Sequence, residues 1–131
     1  MATLEDIRVI VQRWTQENDP TKIDDAINDS IEELYEALLE VNPGEYMQRK
    51  PIRLLADTDI IPFIELKTTA YLKNNSIALV LLSVHEYQAA STWKEQSGSD
   101  LLMVKRQVLQ TMHRSASVDR YEPYNDTKTL I

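Results

Sequence analysis

The sequence predicts an all-α protein, a small bundle of four to five helices. Apolar residues recur at i, i+3, i+4 and i+7 through several long segments, the pattern of helices that bury one face. Only two glycines, Gly44 and Gly98, occur in 131 residues, whereas an all-β chain needs many glycines for its tight turns. A chain of this length fits one domain with one core.

The first two helices are the clearest. Residues 3–17 carry one apolar stripe, start with a capping-box-like pair and end before Pro20, which lacks a backbone donor. Residues 21–41 repeat the pattern, and Asn42-Pro43-Gly44 is a strong stop signal. Because a short loop joins them, we expect these two helices to lie antiparallel.

The middle of the chain is less regular. Residues 45–61 are predicted to form an extended loop or a short β-hairpin. A helix is expected over 62–72, because proline favours a first helical turn, and Asn74-Asn75-Ser76 is expected to end it.

Two further helices are predicted after this break. One spans about 77–96 and is apolar nearly all round at its start, which favours a central buried helix. Ser97-Gly98-Ser99-Asp100 is expected to break the chain before a last helix over 100–114.

Three aromatic or imidazole side chains are predicted to lie in the core or in an interface. Trp14 and Trp93 fall on apolar stripes, and His85 lies at the end of the apolar segment.

The helical pattern stops at residue 114, which predicts a helical domain over 1–114 and an extended C-terminal arm over 115–131. The arm is polar, with tyrosines in its middle and Leu130-Ile131 at its end. Composition alone is typical of disorder. We expect a neighbouring subunit or a partner to hold the arm.

The residues do not predict a catalytic, cofactor or metal site. There is no cysteine, which excludes disulfides and thiolate chemistry. Two isolated glycines cannot build a phosphate-binding loop. Neither His85 nor His113 has a second histidine or an acid at helical ligand spacing. We therefore expect that the chain is not an enzyme.

Charge and hydropathy narrow the possible partners. The net charge of −7 opposes binding to the outside of nucleic acid. Glu32, Glu36 and Glu40 share one helix face, which is either a solvated face or a carboxylate surface. The longest apolar run, over 77–82, is far shorter than the ~20 residues of a membrane span, so no membrane partner is expected.

Two motifs carry a family resemblance. One is Ile23-Asp24-Asp25-Ala26-Ile27 through Leu34-Tyr35, which follows an Asn-Asp-Pro break, and the other is the apolar segment that runs into His85-Glu86-Tyr87. As a pattern of helices over residues 3–112, the chain resembles the head-to-tail connector (adaptor) proteins of tailed bacteriophages. The helix expected over 62–72 has no clear place in that pattern.

The resemblance implies a structural virion protein, assembled in the host cytoplasm. It would form a homo-oligomeric ring, usually a dodecamer, between the portal protein and the next connector or tail protein. Its channel would pass DNA only as cargo.

The resemblance also assigns candidate surfaces. The C-terminal arm would contact the portal or a neighbouring subunit, the loop over 45–61 would contact the next ring, and the acidic helix face would line the channel, where like charge keeps DNA from adhering. The candidates are, for the arm, Arg120, Tyr121, Tyr124, Leu130 and Ile131; for the loop, Arg49, Lys50 and Arg53; and for the channel, Glu32, Glu36 and Glu40.

The alternative from a different class is an acidic helical module that binds a protein, such as an inhibitor or a DNA-mimicking regulator. It would bind a basic protein and would form no ring.

Overall fold

The computed structural model describes the backbone of residues 2–121 and the side chains of residues 2–113. Its elements are α1 Leu4–Thr15, α2 Pro20–Val41, α3 Pro43–Tyr46, α4 Thr69–Ser83 and α5 Tyr87–Tyr121. These residues contain five helices and no β-strand, so the predicted all-α bundle is confirmed. No helix among them is long and apolar enough to cross a membrane.

Local sequence fixes the starts of the first two helices. Thr3 and Asp6 form a capping box, in which each side chain accepts a hydrogen bond from the backbone N–H of the other residue. Asp19 caps α2 by accepting from the Thr21 N–H, and Pro20 takes the first helical position. Both helices therefore begin where the sequence predicts.

Helix α4 is the centre of the bundle. It contacts α1, α2 and α5, and Leu72, Ile77 and Ala78 have no exposed surface. A helix that is apolar on nearly all sides must be surrounded. Full burial of each large aliphatic side chain contributes roughly 1.5–3 kcal/mol, so packing around α4 supplies much of the stability of the bundle.

A polar network crosses this core, and we call it the Asn75 network. Its members are Ser30, Asn75, Ser76, Lys94 and Ser97. The Asn75 amide nitrogen donates to Ser30 Oγ at 2.9 Å, and its oxygen accepts from Lys94 Nζ at 2.6 Å and Ser97 Oγ at 3.3 Å. The hydroxyls of Ser30 and Ser76 lie 3.1 Å apart. The network therefore joins α2, α4 and α5.

The predicted break at residues 74–76 is wrong, because α4 runs through it. Asparagine breaks helices when its side chain bonds to its own backbone, but here Asn74 and Asn75 bond to neighbouring helices. Asn74 Nδ2 donates to Asp100 Oδ2 at 2.6 Å. The break moves upstream: residues 62–68 are not helical, which contradicts the helix predicted over 62–72.

The chain reverses at residues 84–86, inside the segment predicted as one helix over 77–96. His85 takes the left-handed conformation, with φ of 65°. The Glu86 N–H then donates to the Leu81 carbonyl at 2.9 Å, which closes the end of α4. The later break expected at 97–100 is also wrong, because α5 continues through it.

Glycine inside a helix costs only about 1 kcal/mol, so Gly98 does not stop α5. Its neighbour Ser97 is buried, and its single hydroxyl proton is shared between the Lys94 carbonyl at 2.8 Å and the Asn75 side-chain oxygen at 3.3 Å. Ser97 therefore anchors α5 to the core at the position where the sequence predicted a loop.

Two of the three side chains predicted to lie in the core or in an interface are exposed in this chain. His85 is exposed, and its Nδ1 lies 2.7 Å from Tyr87 Oη. Trp14 is 57% exposed, and it packs edge-on against the half-buried Trp93 with ring centroids 5.3 Å apart. Both residues lie at helix ends, where a stripe read from sequence no longer faces a neighbouring helix.

The predicted division at residue 114 falls inside α5. The backbone of α5 is helical to Tyr121, so residues 115–121 are not extended. The remainder of the predicted arm, residues 122–131, lies outside the described residues.

A strained helix end provides a test of the fold. Gln16 ends α1 with a φ of 59°, a conformation that glycine adopts without the penalty of a side chain. We expect Gln16→Gly to raise the free energy of unfolding by about 0.5–1 kcal/mol, measured by urea denaturation followed by circular dichroism.

The matched control is Gln12→Gly, one turn earlier and equally exposed. It should lower the same free energy by about 1 kcal/mol, because position 12 is inside the helix. Equal effects at the two positions would contradict the left-handed end of α1.

Candidate interaction surface

The described residues do not assemble a metal site: no group of three or more histidine, aspartate or glutamate side chains could hold an ion. Their most unusual feature is the segment of residues 47–68, which joins α3 to α4 and which we call the outer loop. This loop contains no helix or strand, yet it is held to the bundle throughout its length.

The outer loop points large aliphatic side chains at solvent. Ile52 is 82% exposed and Leu55 is 77% exposed. About half or more of the side-chain surface is also exposed at Met47, Ile60 and Ile64. Single exposed apolar residues are ordinary, but several on one connection are typical of a surface that binds a partner.

The outer loop is attached to α1 by its backbone. The carbonyls of Asp57 and Asp59 accept from the first N–H groups of α1, at Glu5 and Leu4, with distances of 3.2 and 2.9 Å. Ile61 N–H donates to the Ala2 carbonyl at 3.1 Å. An isolated antiparallel bridge between Thr3 and Ile60 is all the β-structure here among the described residues, in place of the predicted hairpin.

Arg8 adds an ionic attachment. Its guanidinium donates to both carboxylate oxygens of Asp24 in α2, at 2.7 and 2.9 Å, and to Asp57 of the outer loop at 2.7 Å. The hydrogen bonds from Arg8 to Asp24 hold the pKa of Arg8 above its usual value. This half-buried arginine therefore fixes α1, α2 and the outer loop to one another.

The strongest attachment to α2 is an amide clamp. Asn28 is buried, and its side-chain oxygen accepts from the Leu54 N–H at 2.7 Å while its nitrogen donates to the Leu54 carbonyl at 3.0 Å. Both backbone polar groups of Leu54 are thereby satisfied without a strand partner. Leu54 turns into the core, and Leu55 must then point outward.

Aromatic packing fixes the end of the outer loop. Phe63 is buried with a φ of 60°, which is rare for a bulky residue. Its ring stacks on Tyr35 at 6.4 Å and meets the edge of Tyr46 at 5.7 Å. The Arg49 guanidinium lies 5.3 Å from the ring centres of both Tyr46 and Phe63. These contacts hold the strained backbone in place.

The predicted basic loop residues are only partly available to a partner. Arg49 pairs with Glu65 at 2.6 Å and with Glu45 at 3.3 Å, and these bonds raise its pKa. Arg53 pairs with Asp25 of α2. Lys50 is exposed. Two of the three basic side chains thus attach the outer loop to its own chain.

Sequence reasoning missed the aliphatic side chains of the outer loop. The interrupted pattern of Ile52, Leu54, Leu55, Ile60 and Ile61 was the available signal, but alternation alone does not identify which members face outward. The Asn28 clamp determines which of these side chains face outward. The local sequence gives no sign of this clamp, because Asn28 and Leu54 are far apart in the chain.

The acidic face of α2 is present as predicted: Glu32, Glu36 and Glu40 are all exposed. Lys105 of α5 approaches Glu40 only loosely, at 3.9 Å. Nearby, partial desolvation and the charge of Glu32 raise the pKa of Asp29. Asp29 is therefore harder to ionise in the folded chain than in the unfolded chain.

The residues predicted to bind the portal cannot be placed. Tyr124, Leu130 and Ile131 lie outside the described residues, as do the side chains of Arg120 and Tyr121.

No family model, curated protein or solved structure matches the chain. The class that fold and surface define is an all-α bundle with a rigid apolar loop and an acidic helix face. The resemblance to bacteriophage connectors therefore remains a hypothesis about this class.

The amide clamp can be tested by removing it. Asn28→Ala leaves both backbone groups of the buried Leu54 without partners, which we expect to cost about 2–3 kcal/mol of unfolding free energy. Hydrogen exchange of amides in residues 52–61 should accelerate more than exchange in α4. The control Asn18→Ala removes an exposed amide and should leave both measurements unchanged.

The acidic face gives a pH-dependent prediction. The folded state raises the pKa of Asp29, so the ionised carboxylate destabilises the fold at neutral pH. Asp29→Asn should therefore raise the melting temperature at pH 7, and this gain should disappear as the pH falls below the ordinary aspartate pKa. Glu95→Gln, an exposed acid on α5, is the control; an equal gain there would refute a local cause.

Proposed function

We propose that this chain is a structural virion protein that forms a head-to-tail connector ring between a portal and a tail. The observation that carries the proposal is the outer loop, which is fixed by the Arg8, Asn28 and Phe63 contacts and still exposes Ile52 and Leu55. A rigid apolar surface binds a protein partner at low cost in conformational entropy. A surface of this kind suits a role in assembly.

The charge of α2 supports a role beside DNA. Glu32, Glu36 and Glu40 form an exposed acidic row in a chain of net charge −7. A channel that conducts DNA must not bind it, and like charge on the channel wall repels the phosphates. The acidic face of α2 is therefore the proposed channel lining, and DNA is passing cargo.

The remaining candidate residues are proposed to contact the proteins on either side of the ring. Arg120, Tyr121, Tyr124, Leu130 and Ile131 are proposed to contact the portal or a neighbouring subunit. Lys50, the exposed cation of the predicted trio, is the proposed contact to the next connector or tail protein, whereas Arg49 and Arg53 support it from within the chain.

A second candidate is an acidic module that binds a basic protein without forming a ring. The exposed row on α2 favours it as well. It does not account for the exposed aliphatic side chains of the outer loop, so we rank it below the connector.

The connector proposal is tested by assembly with a portal. The chain is co-expressed with the portal protein encoded in the same genome, and the purified particles are examined by electron microscopy and native mass spectrometry. We expect a ring of this chain on the portal, with a central channel. Ile52→Ser with Leu55→Ser should weaken ring assembly, because both side chains are exposed and their loss spares the fold.

The paired control replaces Leu82 and Val84, two aliphatic residues of similar character at the α4–α5 turn that are each partly exposed. It should assemble normally. A chain that stays monomeric with the portal present, and instead binds a basic protein through α2, would establish the second candidate and refute the connector.

A further inference from the structure

A second exposed apolar surface lies on α5. Leu102, Met103 and Leu109 are each more than half exposed, and we call them the α5 stripe. Their neighbours Val104 and Val108 are buried, so α5 has an inner apolar face toward α4 and an outer one without a partner among the described residues. A helix that is apolar on two faces is typical of one that is covered on both.

Beside the α5 stripe lies a groove of a size that accepts a side chain. Its volume is about 610 Å³, and Met103 forms part of its wall together with Ala70 and Gln107. The charged side chains that line it are Lys67, Arg106 and Asp100. An aliphatic side chain such as leucine fits a space of this size.

The end of the outer loop reaches α5, where the Gln107 side chain bonds to the Lys67 N–H at 3.2 Å and to the Glu65 carbonyl at 3.3 Å. The centre of the outer loop is bonded to α1 and α2, through Leu4, Arg8 and Asn28. Ile52 and Leu55 flank the clamped Leu54 in this central part, so one copy presents two separate exposed apolar surfaces.

The charges around the two surfaces are complementary. Around residues 50–60 and the adjoining turns of α1 and α2, five side chains are acidic and three are basic: Asp24, Asp25, Asp29, Asp57 and Asp59, against Arg8, Lys50 and Arg53. Around the α5 stripe, Lys67, Lys105 and Arg106 are basic and Asp100 is acidic, so the balance there is positive. An acidic apolar surface and a basic apolar surface attract each other and repel their own kind.

We propose that the outer loop of one copy, through Ile52 and Leu55, docks on the α5 stripe of the next copy of this chain. Two different surfaces meet in this contact, so each copy leaves one of each free for a further copy. Contacts of this type propagate head to tail and close into a ring when the rotation allows. The inference rests on the proposed function and names the subunit interface that it requires.

The lack of cysteine makes the test direct. We would prepare Leu55→Cys and Met103→Cys as separate full-length variants, mix them, and add a short bismaleimide cross-linker. The mixed dimer should form at least about tenfold faster than either homodimer, because docking raises the effective concentration of the two thiols. A chain that carries both substitutions should give a ladder of higher oligomers.

The control is Val84→Cys, at an exposed position outside both surfaces, mixed with Met103→Cys. It should cross-link only at the background rate. Adding Leu102→Gln and Leu109→Gln to the Met103→Cys variant should return the mixed product to background, and circular dichroism checks that the helix content is kept.

The outcomes separate the two proposals. A dominant Leu55→Cys homodimer, or a mixed dimer no faster than the control, overturns this interface even if a ring forms on the portal. An efficient mixed dimer supports the interface. If no ring then forms on the portal, the connector proposal is refuted and the interface is retained.

Discussion

The structure depends on the burial of most of α4 among the other helices. A helix with apolar side chains on nearly every side is stable only when other helices cover it, and α1, α2 and α5 do so. The cost is that Asn75 is also buried. Its amide must find partners, since an unsatisfied polar group in a core costs about 1–3 kcal/mol. Ser30, Lys94 and Ser97 supply them, and in doing so they fix how α2 and α5 lie against α4.

The outer loop follows from that arrangement. With α1 and α2 held in place, Arg8 and Asn28 present a carboxylate-binding fork and an amide to the same side of the bundle. The loop backbone uses these groups in place of a strand partner. Because polar contacts do the anchoring, the aliphatic side chains of the loop are not all needed in the core. A loop built in this way is rigid and apolar on its outer side.

Much of the helical architecture could be predicted from sequence, because caps and apolar period are local properties. The Thr3 cap of α1 and the apolar stripe of α2 act within one or two turns, and both predictions are confirmed. The errors lie where distant contacts override local preference. Asn75 and Ser97 resemble breakers until the network across α2, α4 and α5 is considered. The sequence around His85 gives no sign that this residue forms a left-handed turn. The exposed acids of α2 were predictable, whereas the outward side of the outer loop was not, because Asn28 and Leu54 are far apart in the chain.

Position 63 combines a backbone conformation that favours glycine with a space that needs a large aromatic side chain. Its backbone conformation suits glycine, and asparagine tolerates it, but neither residue fills the space between Tyr35 and Tyr46. Leucine fills part of that space yet gains nothing from the nearby guanidinium and keeps the backbone penalty. Few residues can therefore replace Phe63 alone, and we expect a change there to be tolerated only together with a compensating change in the surrounding rings. Position 63 should evolve as one unit with positions 35, 46 and 49.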